Sequence, residues 1–223
     1  MSITDIIIVP AVALVLFAVI ARWTDILPAK AAFLFLALGL LSCSIISIIS
    51  ISRYIFSGFD GFPGLAIILG IVPLCLLSFY LVKAFTHPAI HDVATRYTPD
   101  ITFVHALNER GGSDNPLDRP AQEREEQDTY KLKSLVLQGS VDEVRSQIVD
   151  YAAEHGWRQL GATHSALEYA VTTPLFRFTD DLRIELREEG GKTVVDARSV
   201  SRMGKSDLGA NAARIESLFS ALR

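Results

Sequence analysis

The chain has 223 residues, half of them hydrophobic, and a formal charge of −4. Both cysteines, Cys43 and Cys75, sit inside hydrophobic runs, so the polar part has neither a disulfide framework nor a Cys-ligated zinc. Residues 1–97 hold five of the 21 Lys/Arg and four of the 25 Asp/Glu, which leaves residues 98–223 acidic by five charges; a nucleic-acid platform, which needs a clustered basic footprint, is excluded.

Ile6 to Ala21, Ala31 to Ile51 and Gly64 to Val82 are apolar runs of about the length that crosses a bilayer core. The first lacks a basic start and a small-residue cleavage site, and a second run follows closely, so it reads as a retained helix and not a signal peptide. Trp23 and Tyr54 stand at span ends, where amphipathic rings prefer the headgroup layer. None of the three runs contains Asp, Glu, Lys, Arg or His; ion and proton pathways usually need such groups, so the runs read as an anchor over residues 1–85. Gly39, Cys43 and Ser47 recur every four residues and form a small-residue stripe on one helical face. The stripe serves packing within the three-helix bundle or, alternatively, contact with another membrane protein.

Residues 86–128 read as a polar linker, with a turn at Gly111-Gly112-Ser113-Asp114-Asn115-Pro116 and a solvated charge run from Glu123 to Asp128. Regular patterning resumes in residues 129–223. Tyr130 to Gln138 predicts a strand, and Ser140 with Glu143 predicts a capping box. The helix that box opens carries Val141, Val144, Ile148, Tyr151 and Ala152 on one stripe and ends near Gly156. Trp157 to Ala162 and Leu167 to Thr173 predict two strands. Leu182, Ile184 and Leu186 alternate with Arg183, Glu185 and Arg187, the period of a half-buried strand. Glu189-Gly190-Gly191 predicts a hairpin, and Thr193 to Met203 the returning strand. Leu208, Ala212, Ile215, Phe219 and Leu222 mark one face of a closing helix that Ser206 or Asp207 can cap.

The expected architecture is therefore a three-helix transmembrane anchor plus an α+β domain, β-α-β-β-β-β-α, with an antiparallel sheet of about five strands and both helices on one face. That leaves the other face free. Arg183, Glu185 and Arg187 would point there, beside Asp196, Arg198 and Arg202, as cross-strand ion pairs or as a recognition surface.

Catalytic signatures fail on inspection. Gly204-Lys205-Ser206 resembles the end of a phosphate-binding loop, but position 199 is Ser199 and not the required Gly. The five histidines show no HExxH spacing, no GxSxG elbow is present, and Asp180-Asp181 reads as a turn or as partners for arginines in preference to a metal site. No catalytic residue, metal or cofactor is expected. The stretch from Asp196 to Ile215 instead concentrates hydroxyls, guanidiniums, a carboxylate and an amide at a strand-turn-helix corner. The corner is either a buried polar network or an anion site at a helix N-terminus.

Arg198, Ser199, Ser201, Arg202, Gly204, Ser206, Asp207, Gly209, Asn211, Ala212, Arg214 and Ile215 resemble the terminal signature of a bacterial family of unknown function, number 1499. Phe178-Thr179-Asp180-Asp181 and Pro88-Ala89-Ile90-His91-Asp92-Val93-Ala94-Thr95 resemble two further motifs of that family, although Arg96 stands where the second ends in an acid. The resemblance covers about residues 88–223. It implies no activity; it implies a membrane anchor and a domain outside the cytoplasm. Lys/Arg counts at the span ends point the other way, toward a cytoplasmic domain, and the expected placement is a multi-pass protein of the bacterial inner membrane with a periplasmic domain.

The surface expected to meet a ligand or partner comprises Asp180, Asp181, Arg183, Arg187, Arg198, Ser199, Ser201, Arg202, Ser206, Asp207, Asn211 and Arg214. Three functions compete. One is a non-catalytic module docking onto another membrane complex. Another is a binder of membrane lipid or a small apolar ligand between sheet and last helix, near Trp157, Phe176, Phe178 and Phe219. The third is an envelope enzyme using Asp180, Asp181 and Arg198.

Overall fold

A computed structural model describes residues 3–58, 62–118, 125–174 and 176–223. The chain forms two compact units, residues 1–85 with 174–177, and residues 86–173 with 178–223.

The first unit contains α1 (Ile3–Trp23), α2 (Ala29–Phe56) and α3 (Gly64–Thr86), each long and apolar enough to cross a membrane. Ile8, Ala11, Cys43 and Ala66 form the interior, while Ile6, Leu34 and Ile68 face outward, as lipid contact requires. The small-residue stripe works inside this bundle. A Cβ on Gly39 would lie 2.6 Å from Val15 of α1, and Ser47 Oγ donates to the Ala66 carbonyl of α3. One expectation is corrected. α1 starts at Ile3, so Asp5 falls within its first turn, 4% exposed, and accepts a 3.0 Å hydrogen bond from the Ala66 amide. That amide belongs to the first turn of α3, where backbone donors have no partner within their own helix.

The second unit is an antiparallel sheet of six strands: β1 (Asp92–Ala94), β2 (Leu135–Gln138), β3 (Arg158–Ala162), β4 (Ala166–Thr172), β5 (Thr179–Glu189) and β6 (Lys192–Ser201). Its order is β1-β6-β5-β4-β3, and β2 also pairs β6; β1 takes residues 198–200 of β6 and β2 takes 192–195. β5 and β6 are joined by Gly190 and Gly191, both at positive φ, as a two-residue hairpin loop demands. The expected strand from Tyr130 begins only at Leu135, because Gln127–Tyr130 is a 3-10 turn and Lys131 is left-handed.

α4 (Val141–Glu154) opens with the expected capping box: Glu143 N–H donates to Ser140 Oγ at 3.3 Å, and Ser140 N–H to Glu143 Oε2 at 2.8 Å. α5 (Ala210–Ala221) starts two residues later than the apolar pattern suggested, since Leu208 and Gly209 both have positive φ. Leu208 is accordingly outside the core, and Leu218 is inside it. Val144, Ile148 and Ala152 of α4 and Ala212, Ile215, Leu218 and Phe219 of α5 pack on Leu167, Tyr169, Leu182, Ile184, Leu186, Val195 and Ala197. By strand alternation these sheet residues share one face, and both helices lie on it.

The other face is not free, contrary to expectation. Residues 99–118, read as linker, run across it as a strap. Phe103, Ala106 and Leu117 pack there with Leu160 and Val200. The stretch read as a polar linker therefore supplies a strand and a cover to the domain. The outer side of β1 is closed by Gln127, whose amide accepts from Ala94 N–H at 2.9 Å and donates to Ala94 C=O at 3.0 Å. The first part of the expected charge run, residues 123 and 124, lies outside the described residues.

Candidate functional site

The residues expected to form one surface fall into two groups, because successive strand residues point to opposite faces. Asp180, Ser199 and Ser201 point to the helix face. Asp181, Arg183, Arg187 and Arg198 point to the strap face. Asp180 and Asp181 therefore share no site, which removes them as a paired-carboxylate centre.

On the helix face, Ser199 Oγ donates to Asn211 Oδ1 at 2.7 Å, and Arg214 donates to Ser199 Oγ at 2.7 Å and to Asp180 Oδ2 at 2.5 Å. Asn211 Nδ2 donates to Ser201 Oγ at 3.0 Å and to the His91 carbonyl at 2.9 Å. Asp207 accepts from the amides of Gly209 and Asn211, both at 2.8 Å, and Ser206 Oγ accepts from Leu208 N–H at 3.2 Å. At the start of α5, where an anion would bind, the Gly209 and Asn211 amides are thus taken by the Asp207 carboxyl and the Ala210 amide by the Asp207 carbonyl. Burial raises the Asp207 pKa and Asp180 adds to the rise, against the lowering by the two amides and Arg214. The corner is a closed polar network holding α5 to the ends of β5 and β6.

On the strap face, charged side chains bind backbone. Glu168, 1% exposed, accepts from three successive amides of the strap, Val104, His105 and Ala106, each at 2.8 Å, and from Arg183 Nη1 at 2.5 Å. Arg198 pairs with Asp92 through two bonds of 3.1 and 2.6 Å and donates to the carbonyls of Ile101 and Leu117, both at 2.7 Å. Asp181 is fully buried between Arg110 and Arg202. Asn115 returns bonds to the carbonyls of Ser201 (3.0 Å) and Gly204 (2.8 Å).

Asp196, also fully buried, accepts from Thr95 Oγ1 at 2.9 Å, Ser134 Oγ at 2.5 Å and Arg187. Burial alone would raise its pKa; the bonds from Ser134, Arg187 and Thr95 outweigh burial and hold it below the usual carboxylate range.

Toward the free end of β5 the strap no longer covers the sheet. There Arg96, Ser165, Ala166, Arg183, Glu185, Leu186 and Arg187 line an open groove of about 190 Å³. Arg183 and Arg187 reach it as expected; Arg198 and Arg202 are under or against the strap. Sequence reasoning missed Glu168 and Arg110. For Glu168 a signal was present: a lone carboxylate in the apolar strand Leu167-Glu168-Tyr169-Ala170-Val171, because a buried charge needs partners.

With this geometry in view, the family model of a protein of unknown function, DUF1499, matches residues 107–222. The chain belongs to that family, as a member carrying three candidate membrane spans. No curated relative matches the sequence.

Proposed function

We propose that the protein is a membrane-anchored, non-catalytic docking module of the bacterial envelope, with its α+β domain on the periplasmic side of the inner membrane. The observation that carries this reading is the strap face: a sheet bearing guanidiniums fixed by hydrogen bonds to carboxylates, part of which stays open at Arg96, Arg183 and Arg187. The enzyme reading is weaker, because Asp180 and Asp181 point apart and Arg198 is only 2% exposed. The apolar-ligand reading is weaker, because Ile215, Leu218 and Phe219 are buried in one continuous core with Leu182, Ile184 and Ala197.

The test is native mass spectrometry of the full-length protein extracted in mild detergent. A stoichiometric protein partner that is lost on Arg187→Glu supports docking. A stoichiometric adduct of lipid mass without a protein partner overturns it in favour of the apolar-ligand reading. Orientation is read separately from a cysteine placed at exposed Ser113, in a background lacking Cys43 and Cys75. Labelling of intact spheroplasts by a membrane-impermeant thiol reagent is expected; labelling only after lysis would refute the periplasmic placement.

A further inference from the structure

We propose that the open groove on the strap face is a peptide-backbone site, which takes an extended segment of a partner protein through its carbonyl oxygens. The inference rests on the docking reading and specifies its chemistry. The covered half of the same face supplies the precedent. There the sheet already binds a peptide segment, the strap, and alongside the contacts of Phe103, Arg110 and Asn115 it binds the backbone: Glu168 takes three amides, and Arg198 takes two carbonyls. The groove continues that surface directly. Arg183 lies opposite Arg198 in the β5–β6 register and opposite Glu168 in the β4–β5 register, and it donates to the Glu168 carboxylate that holds the strap.

The groove also holds unused donors. Arg183 engages Glu185 through Nε (3.0 Å) and Glu168 through Nη1 (2.5 Å), leaving Nη2 without a partner among the described residues. Arg187 engages Glu189 through Nε (2.5 Å) and Asp196 through Nη1, again leaving Nη2. Arg96 engages Glu185 through Nη2 at 2.5 Å; its Nε, 3.6 Å from Asp196, is buried and out of reach of an occupant. A guanidinium has five N–H donors and no acceptor, so the groove calls for acceptor atoms.

Charge decides which acceptors. The three arginines face four carboxylates, Glu168, Glu185, Glu189 and Asp196. Of these only Glu185 lines the groove, while Glu168, Glu189 and Asp196 hold the same guanidiniums from outside its lining, so the charge of each arginine is already paired. A free anion, an anionic headgroup or an acidic side chain meets no net attraction there, whereas a neutral carbonyl accepts the same N–H groups without adding charge. The expected occupant is therefore an extended peptide poor in acidic residues.

The experiment uses the full chain in detergent micelles with ¹⁵N-labelled arginine and the uncharged probe acetyl-tetra-alanine amide. Saturable movement of the Arg96, Arg183 and Arg187 Nε–Hε signals is expected. Ser165→Trp, which fills the groove from an exposed position and breaks no ion pair, should weaken binding by about tenfold or more with the Arg198 signal unmoved. The proposal is overturned if the three signals stay still, if acetate or inorganic phosphate moves them as strongly, or if Ser165→Trp leaves the titration unchanged. Still signals in a protein that co-purifies a partner sink this groove and leave docking intact; absence of any partner is failure of docking itself.

Discussion

Replacing Glu168 by Gln tests whether the strap is held by one carboxylate. The two oxygens of Glu168 serve Val104 and Arg183 on one side and His105 and Ala106 on the other. A glutamine keeps one acceptor oxygen and turns an NH₂ toward the remaining donors. With the oxygen facing His105 and Ala106, the Val104 amide loses its acceptor; Arg183 keeps Glu185 at 3.0 Å. One orphaned amide, together with the loss of charge from the bonds that persist, amounts to about 3 kcal/mol. The loss falls on the strap, because the helix-face core is untouched. Amide hydrogen exchange of the full-length protein should then show Val104, His105 and Ala106 exchanging about a hundredfold faster, with β5, β6 and α5 unchanged. Unchanged exchange at these three amides would refute the assignment, and equal acceleration across the sheet would show that the strap is not a separable unit.

Gly70→Ala should loosen the anchor. Its Cβ would fall 1.5 Å from Ser47 Oγ, 2.5 Å from Ser47 Cβ and 3.0 Å from the Cys43 carbonyl, contacts that no rotamer relieves, so overpacking by about 1–3 kcal/mol should lower the midpoint of unfolding on titration with dodecyl sulfate. An unmoved midpoint would sink the close α2–α3 approach. Asp207→Asn tests the buried corner by pH. The folded pKa of Asp207 is raised, so its contribution to stability is fully present below the unfolded carboxylate value of about 4 and is lost as pH rises through the folded value. Asparagine stays neutral throughout, and the Tm of the variant minus that of the wild type should climb with pH across that interval; a flat or falling difference would contradict the burial of the charge.

How much of this was legible depends on which atoms make the contact. The spans were readable because lipid tolerates few alternatives to long apolar helices, and the Ser140–Glu143 box and the Gly190-Gly191 hairpin because they need particular side chains or particular φ angles. The strap was not. Over residues 101–106 it is held by amides and carbonyls, which every residue carries, and by the apolar side chains of Phe103 and Ala106, while the side chains that bind polar groups, Arg110 and Asn115, come only later in the strap. β1 escaped notice for a similar reason: three residues, Asp92-Val93-Ala94, are too short for a period to show, and one of them is an acid that becomes buried only by pairing with Arg198. The division of the candidate residues between two faces was readable in principle, since Asp180 and Asp181 are neighbours in a strand and must point apart.

That division explains why hydroxyls and guanidiniums are interleaved at the end of β6. Arg198, Val200 and Arg202 turn to the strap, where they meet the carbonyls of Ile101 and Leu117, the side chains of Phe103 and Ala106, and Glu109. Ser199 and Ser201 turn to the opposite face and bind Asn211. One strand end thus fastens two otherwise unconnected elements to the sheet, the strap below and α5 above. Hydrophobic burial alone fixes neither, because the strap brings only Phe103, Ala106 and Leu117 to its cluster and α5 must begin after a left-handed Leu208-Gly209 turn. Directional bonds between charged or polar groups set the register that a small apolar contact leaves loose. The alternation of Arg and Ser by which this chain resembles its family is, on this argument, a two-sided clasp. The part of this face that the clasp leaves open lies beside Arg183 and Arg187.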